Sequence, residues 1–268
     1  MTKLKLVQFA DGEWELDHPK CVHEYSSDFY DAIELMDYEP ATAERKLKAI
    51  IKKCDSHIDA FLHLGFLYNS IGKEIEGNDL INQAHSIALD SIPKNFDEQN
   101  AEILWGFLEN RPFLRTFQAV GLELMKEGDF VKASEKFGFG LNVNPNDNQG
   151  LRYLLLECYF HLNNPARALE LIKLYENEAS IDFEYGSVLA NYQLGNLKKA
   201  EKSLQSAVAN SPLGAKEIIK KRHTKPKNEA FGFGIAMGGK YEAYDYWMRT
   251  KKFWTETEGL IDFIKENM

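Results

Sequence analysis

The chain has 268 residues, of which 44% are hydrophobic and 12% aromatic, so it can bury a core and is not expected to be disordered as a whole. Its 41 acidic and 32 basic residues give a formal net charge of −9. This acidic balance argues against DNA or RNA as a non-specific partner and against an anionic membrane surface. The three cysteines, Cys21, Cys54 and Cys158, are odd in number and widely spaced. We therefore expect no disulfide framework and a reducing compartment.

The N-terminal segment MTKLKLVQFADGEWEL predicts a short β-hairpin within residues 1–25. Leu4 and Leu6 alternate with polar residues, Asp11-Gly12 forms a turn signal, and Trp14 and Leu16 continue the alternation. The segment has neither a long apolar run nor a small-residue cleavage site, so we expect no signal peptide. No part of the chain approaches the roughly 20 apolar residues of a membrane span. A cytoplasmic location is the expectation.

The clearest signals for a two-helix unit lie in FQAVGLELMKEGDFVKASEKFGFGLNVNP, residues 117–145. Gly128 can end the first helix in a left-handed conformation, and Asp129 can cap the second. Gly121 and Ala133 fall where two antiparallel helices approach most closely. The segment therefore predicts a helical hairpin that packs through small residues.

This unit recurs along the chain. The equivalent alanines are Ala133, Ala168 and Ala200, with steps of 35 and 32 residues, and Ala43 and Gly77 continue the register upstream. Between about 89 and 111 the register breaks. The residues there, which include Trp105, are apolar enough to predict a structured insertion.

The order of large residue, leucine, glycine and aromatic, followed by alanine, aromatic and proline, resembles the tetratricopeptide repeat (TPR) superfamily from about Ala43 to Pro212. The run RPFLR followed by LNVNPNDNQGLRY resembles uncharacterised TPR-containing proteins. The resemblance implies an all-α fold, a right-handed superhelix of antiparallel helix pairs over residues 26–212. Residues 213–268 then form a basic linker and a C-terminal helical cap.

TPR proteins bind partners on a concave groove lined by the first helix of each repeat. The resemblance implies that the groove positions of this chain are Arg115, Gln118, Leu122, Tyr153, Glu157, His161, Phe183, Gly186 and Ala190. Aromatic residues and arginines are common binding hot spots. The lysine and asparagine pattern that clamps chaperone C-termini is absent, and Glu157 would repel a carboxylate, so that partner is disfavoured.

The stretch GIAMGGK, Gly234 to Lys240, has the glycine and lysine spacing of a phosphate-binding loop. Tyr241 stands where the loop needs Ser or Thr for Mg²⁺, and no apolar strand precedes it. The repeat register instead places Ala243 at the packed position of a second helix. Gly238-Gly239 then predict a turn between helices.

Two further clusters have alternative interpretations. His18, Cys21, His23, Cys54 and His57 are residue types that ligate zinc, but no C-x-x-C pair anchors them, which favours a scattered surface group. The run Lys216 to Lys227 includes Lys220, Lys221 and Arg222. One interpretation is that this run binds RNA or an acidic partner, and the other is that it is a solvated linker.

No nucleophile lies in a recognisable catalytic context. The sequence therefore favours a non-enzymatic scaffold or adaptor that binds another protein or peptide in the groove, with no cofactor, no DNA and no membrane partner. An enzyme or small-ligand sensor with a site near residues 100–115 is the first alternative. Binding of RNA or an acidic partner through the basic run is the second.

Overall fold

The computed structural model describes residues 3–227 and 236–268, which pack into two compact units, Met1–Leu151 (unit 1) and Arg152–Met268 (unit 2). The helices up to the boundary are α1 (Lys20–Glu24), α2 (Ser26–Glu34), α3 (Pro40–Lys53), α4 (Ile58–Ser70), α5 (Glu74–Asp90), α6 (Arg111–Glu127) and α7 (Phe130–Val143). The helices from the boundary onward are α8 (Leu151–His161), α9 (Pro165–Leu174), α10 (Ile181–Gln193), α11 (Leu197–Asn210), α12 (Pro212–Ile218), α13 (Lys240–Glu256) and α14 (Leu260–Asn267). The predicted all-α fold with a small hairpin and a helical cap is confirmed.

The N-terminal hairpin consists of β1 (Lys5–Gln8) and β2 (Trp14–Asp17), which pair antiparallel. Gly12 turns the chain at φ 74°, a left-handed conformation that glycine adopts without steric penalty. The alternating side chains Leu6 and Leu16 lie opposite each other and are buried in the core of unit 1. Hence the hairpin is an integral part of unit 1.

The repeat formed by α6 and α7 follows its sequence signals closely. Gly128 ends α6 in the left-handed conformation at φ 81°, and the Asp129 carboxylate accepts a hydrogen bond from the Lys132 amide at 3.1 Å. A Cβ atom at Gly121 would lie 2.3 Å from the buried ring of Phe137. The two helices can therefore approach only because this position has no side chain.

The same helix pair recurs as α4 with α5 and as α10 with α11, and α8 is followed by α9 in the same order. Asn164 accepts from the Arg167 amide at 3.2 Å to cap α9, and Pro165 begins that helix. Ala168 and Ala200 are fully buried at the helix contacts. The small residues that define the repeat thus hold the helix pairs together in both units.

The predicted insertion is structured and is anchored to the hairpin. Asn110, at the end of a short 3₁₀ helix (Leu108–Asn110), is fully buried. Its side-chain oxygen accepts from the Leu16 amide at 2.9 Å, and its nitrogen donates to the carbonyls of Trp14 and Leu104 at 3.1 Å. Through these three hydrogen bonds, the Asn110 side chain connects the insertion to the hairpin and satisfies buried backbone groups of both.

In unit 2, α12 and the two C-terminal helices complete the packing. The chain forms α12 over part of the segment that the sequence predicted as a linker, and α13 packs against α10 and α12. Trp254 of α13 is fully buried, and its ring lies 6.3 Å from that of Tyr185 of α10. Among the described helices, none combines the length and the apolar character needed to cross a bilayer.

The cysteines differ from the sequence expectation. Cys21 of α1 and Cys54 at the end of α3 form a disulfide with a Cα–Cα distance of 5.7 Å. The prediction of no disulfide framework is therefore wrong, and the cysteines do not favour a reducing compartment. The two residues are 33 positions apart, and only the packing of the intervening helices brings them together. The bond ties α1 to the α3–α4 connection.

Candidate functional site

The predicted groove residues divide between the two units. Arg115, Gln118 and Leu122 lie on α6 in unit 1, and the others lie on α8 and α10 in unit 2. The repeat register extends to α4, because Gly65 and Gly121 are equivalent and 56 residues apart. The same step relates Asp59 to Arg115 and Phe66 to Leu122. We call the set Asp59, His63, Phe66, Arg115, Gln118 and Leu122 the first-helix face of unit 1.

An ion pair joins the two helices of this face. The Arg115 guanidinium donates to the Asp59 carboxylate at 2.6 Å, and the two side chains are 32% and 11% exposed. The guanidinium of Arg115 also lies over the Trp105 ring, 5.6 Å from its centroid. Arg115 is therefore held in place by both a carboxylate and an aromatic ring. The sequence analysis did not identify Asp59, although extending the repeat register upstream by one unit would have found it.

The rest of the face is partly apolar. Phe66 and Leu122 are 36% and 37% exposed, and they occupy equivalent positions on neighbouring first helices. His63 lies edge-on to Phe66 with ring centroids 5.6 Å apart. The Gln149 side-chain amide donates to that of Gln118 at 3.0 Å, so Gln118 is tied to the loop between α7 and α8. The face presents two apolar side chains beside a fixed ion pair.

A cavity of about 250 Å³ opens where the N-terminal ends of α4 and α6 meet α2 and the 3₁₀ helix. We call it the Asp59 cavity; it is lined by His18, Val22, His23, Ser26, Phe29, Tyr30, His57, Ile58, Asp59, Leu108, Glu109, Arg111, Pro112 and Arg115. It combines part of the first-helix face with part of the insertion. The sequence left open a ligand site near residues 100–115, and the part of that segment from Leu108 to Arg115 contributes to the wall of this cavity.

Two of the histidines that line the Asp59 cavity, His18 and His57, are held in defined orientations. One ring nitrogen of His18 is 2.9 Å from the Glu109 carbonyl, and His57 Nδ1 accepts from the Ala60 amide at 3.2 Å. Burial lowers the pKa of His18 below its ordinary value, and burial lowers the pKa of His57 to about 4. Both rings are therefore neutral at physiological pH.

These residues do not form the zinc site that the sequence left open. Cys21 and Cys54 are bonded to each other, so neither offers a thiolate. Within residues 3–227 and 236–268, no three or more His, Cys, Asp or Glu side chains are grouped to hold a metal. The remaining cysteine, Cys158, is buried, and burial raises the pKa of its thiol to about 12. Cys158 is therefore unsuited to act as a nucleophile at neutral pH.

In unit 2, two of the predicted groove residues, Glu157 and His161, contact the chain's own helix α13. Arg249 of α13 lies 3.8 Å from the Glu157 carboxylate and donates to Asp182 at 2.9 Å. The ring of Phe253 lies 4.8 Å from that of His161. Phe183 is buried against the edge of Tyr153, with ring centroids 5.6 Å apart. Helix α13 therefore covers the part of the face that contains Glu157 and His161. A partner role for the unit 2 groove residues stays a prediction.

The basic run is partly neutralised within unit 2. Glu217 of α12 is buried and pairs with Lys220 and with His223, the latter at 2.9 Å. The His223 ring stacks on Trp247 with centroids 4.3 Å apart. Lys221 and Arg222 are exposed. RNA binding through this run stays a prediction.

The glycine and lysine stretch lies only partly within the described residues. Gly234 falls outside them, so the question of a preceding helix lies outside as well. Gly238 adopts φ 70°, and Gly239 is the N-cap residue of α13, which begins at Lys240. The glycines thus form the turn that starts a helix.

A buried histidine behind the first-helix face gives a testable pH dependence. The Thr116 hydroxyl donates to the Phe113 carbonyl at 2.8 Å, so it accepts from His85 Nδ1 at 3.1 Å. The Lys136 ammonium lies 3.1 Å from His85 Nε2 and must donate to it. Burial, reinforced by the Lys136 charge, lowers the pKa of His85 to about 4. The structure therefore requires a neutral ring.

We expect His85 to weaken the fold as the pH falls. The unfolded chain takes up a proton near pH 6.5 whereas the folded chain resists it down to about pH 4, so the stability present above pH 6.5 is lost between these values. From pH 7 to pH 5 this one residue should lower the free energy of unfolding by about 2 kcal/mol. Urea unfolding of the wild type and of His85→Gln, which can keep both hydrogen bonds, measures it. Equal pH dependence in the two proteins would contradict the prediction.

The repeating helix pairs, with small residues at each contact, define this chain as a TPR-type helical repeat protein. Solved structures agree in fold. A TPR protein from Parabacteroides merdae ATCC 43184 is 17% identical and superimposes with a TM-score of 0.52, covering 91% of this chain and 80% of that one. YrrB, described as a TPR protein with an unusual peptide-binding site, is 15% identical with a TM-score of 0.52, covering 72% and 93%. MamA is 15% identical with a TM-score of 0.50, covering 71% and 96%.

The family is more specific than the fold. The family model described as "Transcriptional repressor TCF25" matches residues 14–268, and the chain belongs to the TCF25 family. A search of curated proteins finds no significant match. The sequence resemblance to TPR proteins is thus confirmed at the level of the fold, whereas the family is TCF25.

Proposed function

We propose that this protein is a non-enzymatic scaffold that binds a partner protein or peptide on the first-helix face of unit 1. The observation that carries the proposal is the exposure of Phe66 and Leu122, at 36% and 37%, at equivalent positions on adjacent first helices. Apolar side chains in register on neighbouring repeats form the kind of continuous strip that repeat proteins use to bind extended partners. The Asp59–Arg115 ion pair at the end of the strip adds a polar anchor.

The chemistry of the face supports binding over catalysis. Arg115 is fixed by Asp59 and Trp105, so binding a partner loses little side-chain entropy at this residue. The apolar pair Phe66 and Leu122 gives a contact that loses water when a partner covers it. No cofactor enters the proposal, and the acidic chain is a poor partner for DNA. A cytoplasmic location is also part of the proposal, but it no longer draws support from the cysteines, because Cys21 and Cys54 are bonded.

The family description, transcriptional repressor, is compatible with a protein that acts through other proteins. Under our proposal, a repressor role for this chain would depend on a partner bound at the first-helix face of unit 1.

We predict that Leu122→Glu strongly reduces capture of the partner, because a carboxylate replaces the apolar end of the strip. Capture from native lysate by the purified chain, followed by mass spectrometry, measures the effect. We expect the amount of the specifically captured protein to fall by about tenfold, the equivalent of about 1.4 kcal/mol.

Val131→Glu is the matched control. Val131 is also an exposed aliphatic residue of unit 1, but it lies on the second helix of the same repeat. Its variant should capture the same protein as the wild type. Equal capture by wild type, Leu122→Glu and Val131→Glu would remove the first-helix face from consideration.

A further inference from the structure

Two residues that line the Asp59 cavity each have a buried hydrogen-bonding atom without a partner in the protein. The Asp59 residue is buried, and only one of its two carboxylate oxygens is paired, with Arg115. The other oxygen, Oδ1, is buried without a hydrogen bond, and so is Nδ1 of His18. An unpaired buried carboxylate oxygen is energetically unfavourable unless a donor reaches it.

The second orphan atom is also an acceptor. His18 Nε2 faces the Glu109 carbonyl at 2.9 Å, and a carbonyl only accepts, so Nε2 carries the hydrogen. Because burial lowers the pKa of His18, the ring is neutral and its Nδ1 has a free lone pair. Two residues of one cavity wall therefore offer acceptors and lack donors.

The two arginines of the cavity wall do not supply these donors. The Arg115 guanidinium is bonded to the other Asp59 oxygen, Oδ2, at 2.6 Å. Arg111 donates through Nε to the Trp105 carbonyl at 3.1 Å, and its guanidinium lies over the Trp105 ring, 5.1 Å from the centroid. Both cations are thus directed at Trp105 and at Asp59 Oδ2.

The charge of unit 1 favours a basic ligand. Residues Met1–Leu151 include 26 Asp and Glu against 15 Lys and Arg, a net charge of −11, whereas Arg152–Met268 include 15 against 17, a net charge of +2. A strongly negative surface attracts basic segments and speeds their association. The exposed Tyr30 in the cavity wall adds an aromatic ring suited to a cation.

We propose that the Asp59 cavity binds an arginine side chain of a basic partner segment, with Asp59 Oδ1 and His18 Nδ1 as the acceptors. The guanidinium is planar and carries five N–H donors, which suits two separate acceptors better than the compact ammonium of lysine. At about 250 Å³ the cavity is smaller than a site for a drug-sized ligand and fits one side chain. This inference rests on the proposed function and names the chemistry of the partner.

The test uses N-acetyl-arginine amide as the probe and the neutral isostere N-acetyl-citrulline amide as its control. Binding to the full chain is followed by NMR of the ring Cε1–H resonances, at an ionic strength of about 0.15 M to screen the general field of unit 1. We expect saturable shifts of His18 and His57, and binding of citrulline weaker by about fivefold or more. The resonances of His85 and His161, which do not line the cavity, should not move.

Three variants distinguish binding of the probe in the Asp59 cavity from general electrostatic attraction to unit 1. Asp59→Asn should weaken binding of the arginine probe by about fivefold, whereas Glu76→Gln, which removes the same charge at an exposed position of α5, should change the affinity by less than about twofold. Tyr30→Ala leaves the fold intact because its ring is exposed, and it should also weaken binding. Tyr30→Ala decides the matter if Asp59→Asn unfolds.

The inference is overturned if citrulline binds as well as arginine, if N-acetyl-glutamate amide binds more tightly, or if Glu76→Gln has the effect of Asp59→Asn. Its failure is distinct from failure of the scaffold proposal. Leu122 does not line the cavity, so partner capture that depends on Leu122 would stand even when the arginine probe does not bind.

Discussion

Arg115→Glu should lower the free energy of unfolding of unit 1 by about 3 kcal/mol, because it places a second carboxylate against the buried Asp59. The wild-type pair is separated by 2.6 Å, and the Asp59 side chain is only 11% exposed, so water can screen the repulsion little. The substitution also removes the guanidinium that lies over Trp105. Chemical denaturation with hydrogen exchange at the amides of α4 and α6 measures and localises the loss.

Lys126→Glu is the matched control for this prediction. Lys126 lies on the same helix and also pairs with a carboxylate, that of Glu123 at 2.7 Å, but its side chain is 66% exposed. Reversing this charge should change stability by less than about 1 kcal/mol. Adding Asp59→Asn to Arg115→Glu should recover much of the loss, since only one carboxylate then remains. A loss in Arg115→Glu no larger than in Lys126→Glu would contradict the assigned role of the pair.

Arg115→Glu is a poor variant for testing partner binding on the first-helix face. Because Arg115→Glu is expected to damage unit 1 itself, loss of a partner in that variant would not show that Arg115 contacts the partner. Leu122→Glu is the better probe of binding, since Leu122 is exposed and makes no ion pair that the change would break.

Trp254→Ala should destabilise unit 2 by about 4 kcal/mol, because it empties a large and fully buried site. The Trp254 indole donates to the Thr250 hydroxyl at 3.2 Å, and its ring lies 6.3 Å from the rings of both Tyr185 and Tyr246. Removing it leaves a cavity between α13 and α10. Urea unfolding, with hydrogen exchange of the α10 amides, reports the change. Met248→Ala, at an exposed position of the same helix, should have little effect.

The pattern of the loss also tests whether α13 is permanently docked. If α13 is part of the core, the amides of α10 should lose protection together with those of α13 in Trp254→Ala. If only α13 loses protection, then α13 is a separable occupant of the face that contains Glu157 and His161. The second outcome would contradict our assignment of α13 to the core of unit 2 and reopen that face to partners.

Local signals predicted much of this fold because they act within a few residues. Gly128 and Asp129 end one helix and begin the next through backbone conformation and a hydrogen bond over three residues. Gly121 and Ala133 predict the close helix contact because their size limits the packing distance. The hairpin followed in the same way from alternation and the turn at Gly12.

The candidate site was predicted less completely. The repeat register placed Arg115 and Leu122 on a first helix, and the structure shows Arg115 half-buried and Leu122 exposed on that helix. The same register did not reveal that Arg115 is bound to Asp59, 56 residues away. It also placed Glu157 and His161 on the groove face without showing that Arg249 and Phe253 of α13 contact them.

The sequence alone therefore determined the helix pairs, their caps and the N-terminal hairpin, since these depend on the conformational limits of neighbouring residues. Only the tertiary structure decided the Cys21–Cys54 disulfide, the Asp59–Arg115 ion pair and the position of α13. Each of these joins elements that are distant along the chain. Their contacts arise when several helix packings are satisfied together, and no short stretch of sequence encodes the resulting distances.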